Sequence, residues 1–411
     1  MKMTAHSAMS ETSELRVLHL DHTAVPGGGQ LGLARFIENA PRGVHAVAFL
    51  TGGAMVDRIQ RTGIQVQTRL PDAAFLARRD LSTSQRWLRQ VVASFSPYVI
   101  LAKSAATAKA FAPILLFTTA MALYYMRSSP STTSNDRFTS LVMDSLLHRH
   151  LDAFLANSTW ARDNRSLHLQ GHPMEVAYPV SGVTNDAGAT ADRPLEHDER
   201  GNRIFRIVSL GQFEPGKGHI QPLQAANPTQ KALEAKQISS TVDLFGGDVL
   251  GNKEYSRELH GFAQGVTPKV SFHGHVPDVN SHLDRSNCLV LSSDEPKPSC
   301  QMIVQAMSRG ALTIVPNEGG PSDEITPDID GLTYPLRDAA VLAERLGGAV
   351  SDKEHATWDR PSWSRTFTGL HRHIDGRTNH ARHRAPPPGT TPPTVTHPTH
   401  KRAPLVPLSR W

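Results

Sequence analysis

The chain has 411 residues, 39% of them apolar, and a formal net charge of +5, which fits a globular protein with room for two full cores. Two cysteines, Cys288 and Cys300, exclude a disulfide framework and make a reducing cytoplasm the expected compartment. The positive charge implies no nucleic-acid partner: residues 371–411 hold seven basic side chains and one acid, so residues 1–370 sum to −1.

The start, MKMTAHSAMSETSELR, lacks the apolar core of a signal peptide. LRVLHL (residues 15–20) reads as a strand, followed by a glycine-rich loop and the helical pattern LGLARFIENA. VHAVAFL and the run around Tyr98–Ala102 repeat the strand signal. Ala110 to Met126 is an uncharged stretch of 17 residues interrupted by Pro113. That is short for a membrane span, and the expected structure is a buried helix followed by the strand ALYYMR. LDAFLANSTWARDNRSL gives another strand and then a helix, with Ser158 or Thr159 as N-cap. AYPVSGV closes the first half near residue 183.

Residues 184–202, TNDAGATADRPLEHDERGN, are polar and without period, and are expected to be a linker. Beyond them FRIVSLG, VDLFGG, KVSFHG, CLVLSS, LTIVPN and GLTYP are short apolar strands, most of them separated by helical stretches. Strands alternating with helices predict parallel sheets. The expected organisation is a first doubly wound domain over 14–183, the linker, a second over 203–350, and a disordered tail over 351–411. The tail is rich in Pro, Thr, His and Arg and has no apolar period to bury. A change of reading frame would produce such text.

Several motifs occur in a set order. They are GGGQLGLARF (Gly27–Phe36), LGQFEPGKGH (Leu210–His219), LFGGDVLGNKEYSREL, KVSFHGHVPDV, DEPKPSCQMIVQAMSRG (Asp294–Gly310) and NEGGPSDEITPDIDGLTYP. Together they resemble the GT-B glycosyltransferases of family 4, the glycosyl transferases group 1 type, typified by bacterial retaining sugar transferases. The resemblance covers roughly residues 15–346. It implies two Rossmann-like domains facing a cleft, a nucleotide diphosphate-sugar donor, and a glycan, lipid-linked or small-molecule acceptor. It further implies retention of anomeric configuration, no cofactor, no catalytic metal and a role in polysaccharide synthesis, with peripheral membrane association open.

The chemistry of such a donor fits the same residues. A diphosphate needs backbone N–H groups and a nearby cation. Gly28, Gly29, Gly211, Gly319 and Gly320 let backbone approach a ligand at strand ends, and Lys217 supplies charge. Taken singly, GGG reads equally as a tight turn and Lys217 as a solvated lysine. Ser299, Cys300 and Gln301 open the helix expected to face the donor.

The departures from the family pattern are specific. In the ungapped register Lys297 and Gln305 stand where the family has two acids; the alternative register uses Glu295-Pro296. Gln212 stands where the family has an arginine. Gln305 still accepts hydrogen bonds from ribose hydroxyls, whereas Lys297 only donates. Gln212, Lys217, Lys297 and Gln305 together sum to +2, against zero for the family set. Two readings follow: Lys297 takes over diphosphate neutralisation, or the site is impaired and the chain is a non-enzymatic nucleotide-sugar binder. His22 is the catalytic candidate of the first domain, since residues 101–140 contain no histidine.

Overall fold

The computed structural model describes residues 16–41, 43–70, 81–127, 151–164, 174–180, 195–247, 253–276 and 278–353. The tail from 354 onward and residues 184–194 of the expected linker lie outside the described residues.

The first sheet contains β1 (Val17–Asp21), β2 (His45–Thr51), β3 (Gln65–Leu70), β4 (Val99–Ala102), β5 (Met121–Met126), β6 (Ala153–Ala156) and β7 (Met174–Val176). Its order is β3-β2-β1-β4-β5-β6-β7, with every pairing parallel. The β1 run VLHLD is buried at every position, as a parallel strand covered on both faces must be. Leu18, Leu20, Ile100, Phe111 and Phe154 form the core on one face. Leu33, Ile37, Phe49 and Ile59 form it on the other, beneath helix α1 (Gly28–Glu38) and helix α2 (Met55–Gln60).

The stretch expected to be a buried helix and strand divides more finely. Helix α3 (Leu81–Phe95) precedes β4, helix α4 (Ala105–Phe111) follows it, and a 3-10 segment spans Ala112–Phe117 before β5. Pro113 sits in the first turn of the 3-10 segment, where its missing N–H costs nothing. Among the described residues no helix is long and apolar enough to cross a membrane.

The second sheet contains β9 (Arg203–Leu210), β10 (Ile238–Phe245), β11 (Lys269–Gly274), β12 (Cys288–Val290), β13 (Leu312–Pro316) and β14 (Leu332–Tyr334), in the order β11-β10-β9-β12-β13-β14. A two-residue strand β8 (Glu196–His197) pairs antiparallel with the start of β9, so the end of the expected linker joins the second sheet. Helices α6 (Ile220–Glu234) and α10 (Ala339–Lys353) pack together over Phe205, Ile207, Leu233, Leu342 and Leu346. Helix α7 (Lys253–Ala263), the short helix α8 (Asn280–Leu283) and helix α9 (Gln301–Ser308) complete the cover.

The two sheets share one design. In the first, the chain leaves β1 with β2 on one side and β4 on the other. In the second, it leaves β9 between β10 and β12. These are the switch points at which the loops after the strands diverge and open a crevice for ligands. The two crevices meet. Gly32 of α1 lies beside the Gln301 side chain of α9, where a Cβ would stand 2.9 Å from Oε1. Helix α5 (Thr159–Asp163) docks on the 3-10 turn Gly320–Glu324, with Trp160 N donating to Asp323 Oδ2 at 2.7 Å.

Ser158 links capping to domain contact. Its hydroxyl accepts from Ala161 N at 2.9 Å, which makes it the N-cap of α5, and donates to the Pro298 carbonyl across the cleft. Gly320 leaves room for that carbonyl; a Cβ there would overlap it. Gly320→Ala is therefore expected to lower stability by about 1–3 kcal/mol, the usual cost of overpacking. A urea melt with an unchanged midpoint would contradict this contact.

Candidate active-site cleft

The first-domain wall is built at the end of β1. Asp21 is fully buried, and both of its oxygens are engaged. Oδ1 accepts from His22 N at 2.8 Å and lies 2.9 Å from His22 Nδ1. Oδ2 accepts from Arg127 Nη2 at 2.8 Å and from Gln30 Nε2 at 3.2 Å. Burial pushes the Asp21 carboxyl up, but the His22 hydrogen bond and the charge of Arg127 together outweigh it and hold it below the ordinary value. His22 keeps about 30% of its side chain exposed.

Arg127 and Lys103 add charge that the motifs did not mark. Arg127 Nη1 is buried without a hydrogen-bond partner, and Gly29 lies against the same guanidinium; a Cβ on Gly29 would overlap it. Gly28, the first residue of α1, faces open space. Lys103 follows β4 and is buried, with its ammonium 5.1 Å from the Tyr125 ring centroid and 5.9 Å from that of Phe36. Burial, reinforced by Arg127 and opposed by Asp21, brings its pKa down to about 7. Each cation stands at a strand's C-terminal end, Lys103 after VILA and Arg127 after MALYYM. That position was the available sequence signal.

The second-domain wall begins with Gly211 after β9. The turn Pro215–Lys217 is a single 3-10 turn, closed by Gly218 in the left-handed region at φ 63°. A side chain at Gly218 would overlap the Ser292 carbonyl, so this turn seats directly on the end of β12. Ser292 Oγ donates to Lys217 O at 3.2 Å, and Gln221 Nε2 donates to Asp294 Oδ1 at 2.7 Å. The Lys217 side chain lies beside Gly211, where a Cβ would stand 3.6 Å from Cδ. Gln212 is half-buried, and its carbonyl accepts from Glu214 N at 2.9 Å.

Lys297 and the second glycine pair form one unit. Gly320 N donates to Lys297 O at 2.8 Å, and a Cβ on Gly319 would stand 3.0 Å from Lys297 N. The Lys297 ammonium lies 3.6 Å from Glu295 Oε2 and is partly exposed.

The opening of α9 is occupied by a residue that the motif comparison passed over. Ser299 Oγ donates to Glu324 Oε1 at 2.6 Å, and Cys300 N donates to the same oxygen at 3.3 Å. Ser299 and Cys300, expected to meet the donor, thus direct these donors to a carboxyl group of the chain itself. Burial pushes the Glu324 carboxyl up to about 8, against the opposing Ser299 and Cys300 hydrogen bonds. Glu324 Oε2 is buried without a partner. Burial also raises the Cys300 thiol to about 11, away from nucleophilic use.

Two further candidates are held by local bonds. Gln301 Nε2 donates to Val180 O, tying α9 to the exit of the first domain. Gln305 is buried, with Nε2 donating to Asn280 Oδ1 at 3.3 Å. The structure therefore gathers Lys217 and Gly211 on the β9 turn and Lys297, Ser299, Gly319 and Gly320 on the adjoining loops. His22, Gly28 and Gly29 stand on the facing domain, while Gln305 lies under α8. Among the described residues no group of three or more His, Cys, Asp or Glu side chains is spaced to hold a metal ion.

Residues 204–352 match the family model of glycosyl transferases group 1. The chain is similar to the crystal structure of Anabaena HepE in complex with UDP, at 18% identity and TM-score 0.68, over 87% of this chain and 95% of that one. It is similar to a glycosyltransferase from Rickettsia africae at 14% identity and TM-score 0.67, over 88% and 97%. Sucrose-phosphate synthase from Thermosynechococcus elongatus aligns at 14% identity and TM-score 0.62, over 89% and 100%. At these identities the likeness shows the fold, which is GT-B. No curated protein matches in sequence.

Proposed function

We propose that this GT-B chain is a glycosyltransferase that moves a sugar from a nucleotide diphosphate donor to a glycan, lipid-linked or small-molecule acceptor. The observation that carries the reading is the Gly211–Gly218 turn. It brings Lys217 to the end of β9, at the switch point and inside the segment that matches the group 1 family. Lys217 and Lys297 neutralise the diphosphate, and Arg127 adds charge from the facing domain. The HepE complexes with UDP and with UDP-glucose support a uridine donor for this chain as well.

Leaving-group stabilisation is the main chemical demand. As the anomeric carbon–oxygen bond breaks, negative charge accumulates on the diphosphate, and preorganised cations stabilise that charge more than the ground state. Lys217→Ala should therefore weaken donor binding by about 1.5–3 kcal/mol, the range for a hydrogen bond to a charged group. Isothermal titration with UDP measures it, and an unchanged affinity would remove Lys217 from the site.

A second reading has its own support. Ser299 and Cys300 are engaged with Glu324, and Lys297 replaces a family acid. A nucleotide-sugar binder without turnover would tolerate both. Nucleotide release from a donor sugar in the absence of acceptor favours the enzyme; tight binding without release favours the binder.

A further inference from the structure

We propose that the first domain holds an anion subsite of its own, floored by Lys103 and Asn157, which takes the phosphate or carboxylate group of a hydroxyl-bearing acceptor. This rests on the transferase reading and names the acceptor class: an anionic sugar or polyol rather than a neutral one.

The register of the first sheet places the residues. Leu20 pairs with Ala102, Ala102 with Tyr124, and Met126 with Ala156. One residue further along, Asp21 is level with Lys103, Lys103 with Tyr125, and Arg127 with Asn157. Side chains alternate between faces along a strand, so these five share one face. It is the face that α1 covers: Phe36 of that helix lies against Lys103, and Gly29 against Arg127. All five stand at the C-terminal ends of parallel strands, the edge at which such sheets bind ligands.

Three of the five carry polar atoms with nothing to bond. Lys103 is 7% exposed and Asn157 8%. Among the described residues neither the Lys103 ammonium nor Asn157 Oδ1 has a hydrogen-bond or ion-pair partner, and the ammonium lies over the aromatic rings of Tyr125 and Phe36. Arg127 gives Nη2 to Asp21 and buries Nη1 without a partner. A buried polar atom left so forfeits the hydrogen bond it made to water, and such atoms are rare in folded chains. Three on one face, at the ends of three adjacent strands, mark a ligand site.

Their chemistry defines the ligand. Lys103 and Arg127, set against Asp21, leave a positive surplus, which selects an anion. Gly27 gives the first turn of α1 no side-chain cap, which leaves its N–H groups for the same anion. Asn157 Oδ1 only accepts, and so selects a hydroxyl of the same molecule. Ser158, next in the chain, bonds the Pro298 carbonyl, which sets the subsite beside the loop that carries Lys297. Arg127 also serves the diphosphate in the reading above, so Lys103 and Asn157 distinguish the acceptor subsite from the donor site.

The test saturates the full chain with UDP and then titrates inorganic phosphate, glucose 6-phosphate, glucuronate and glucose, followed by NMR. Phosphate should still bind, and at least one of the two anionic sugars should bind more tightly than glucose. Loss of phosphate binding on addition of UDP would show that the donor site alone takes anions, and overturns the subsite. So does a UDP-saturated chain that binds none of the anions. Failure to bind UDP itself overturns the transferase reading instead. Lys103→Met should weaken phosphate binding by about 10-fold or more, the equivalent of one charged hydrogen bond. Its urea midpoint should be unchanged or higher, because the substitution removes a buried cation without a partner. A lower midpoint would make Lys103 a structural residue and reject the assignment. Asn157→Leu should weaken binding of the preferred anionic sugar and spare inorganic phosphate; unaltered sugar affinity would reject the hydroxyl contact.

Discussion

Glu324→Gln is expected to abolish a decline in stability that the parent shows as pH rises from about 4.5 to about 8. Burial raises the Glu324 pKa from an ordinary 4.5 to about 8 in the folded chain. Between these values the folded chain keeps a proton that the unfolded chain releases. Folding is then coupled to proton uptake, and stability falls with rising pH by at most about 1.4 kcal/mol per unit. The contribution is fully present below the unfolded pKa and lost by the folded one. Glutamine mimics the protonated acid. Its Oε1 replaces the acceptor that Ser299 and Cys300 use, and its amide nitrogen fills the position of the unpartnered Oε2. Urea melts at pH 5 and pH 8 measure the difference. A parent as stable at pH 8 as at pH 5, after subtracting the Gln variant, would show that Glu324 is ionised in the fold. The same residue bears on donor binding, because its ionisation places a negative charge at the opening of α9. Above pH 8 the Gln variant should bind UDP more tightly than the parent.

Lys297→Glu is expected to weaken UDP binding by roughly 1.5–3 kcal/mol, or about 10- to 150-fold in Kd. The substitution restores the acid of the family pattern yet removes a cation from the loop that seats on Gly319 and Gly320. It also sets a new carboxylate beside Glu295, which now pairs with Lys297 at 3.6 Å. Adding Gln212→Arg, which returns the family cation, should recover binding. The two sites would then be coupled by roughly 0.5–3 kcal/mol, as residues in one network are. Affinities of the parent, both single variants and the double variant close the cycle. Strict additivity, or tighter binding by Lys297→Glu alone, would mean that Lys297 does not replace the missing arginine.

The alternating pattern of apolar runs and helical stretches was enough to specify two parallel α/β domains. A parallel strand covered on both faces is rich in apolar residues, and β1, β9 and β13 carry such runs in their own sequence. The glycines at 319 and 320 were legible from their motif, and there a side chain would press on the Lys297 and Pro298 backbone. Less visible were the short or polar strands. β3 (QVQTRL) has no buried position, and β8 is two exposed residues, so neither carries an apolar signal.

Within the cleft the division is sharper. Sequence alone determined which motifs stand at the strand ends, and so named Lys217, Lys297 and His22 as candidates. It could not determine their partners. The pairing of Asp21 with Arg127 joins residues 106 positions apart, and that of Ser299 with Glu324 joins residues 25 apart. Both exist because parallel strands deliver distant loops to one edge of a sheet. Burial then set the proton on Glu324 and the charge of Lys103, since desolvation depends on what packs around a group rather than on its neighbours in the chain.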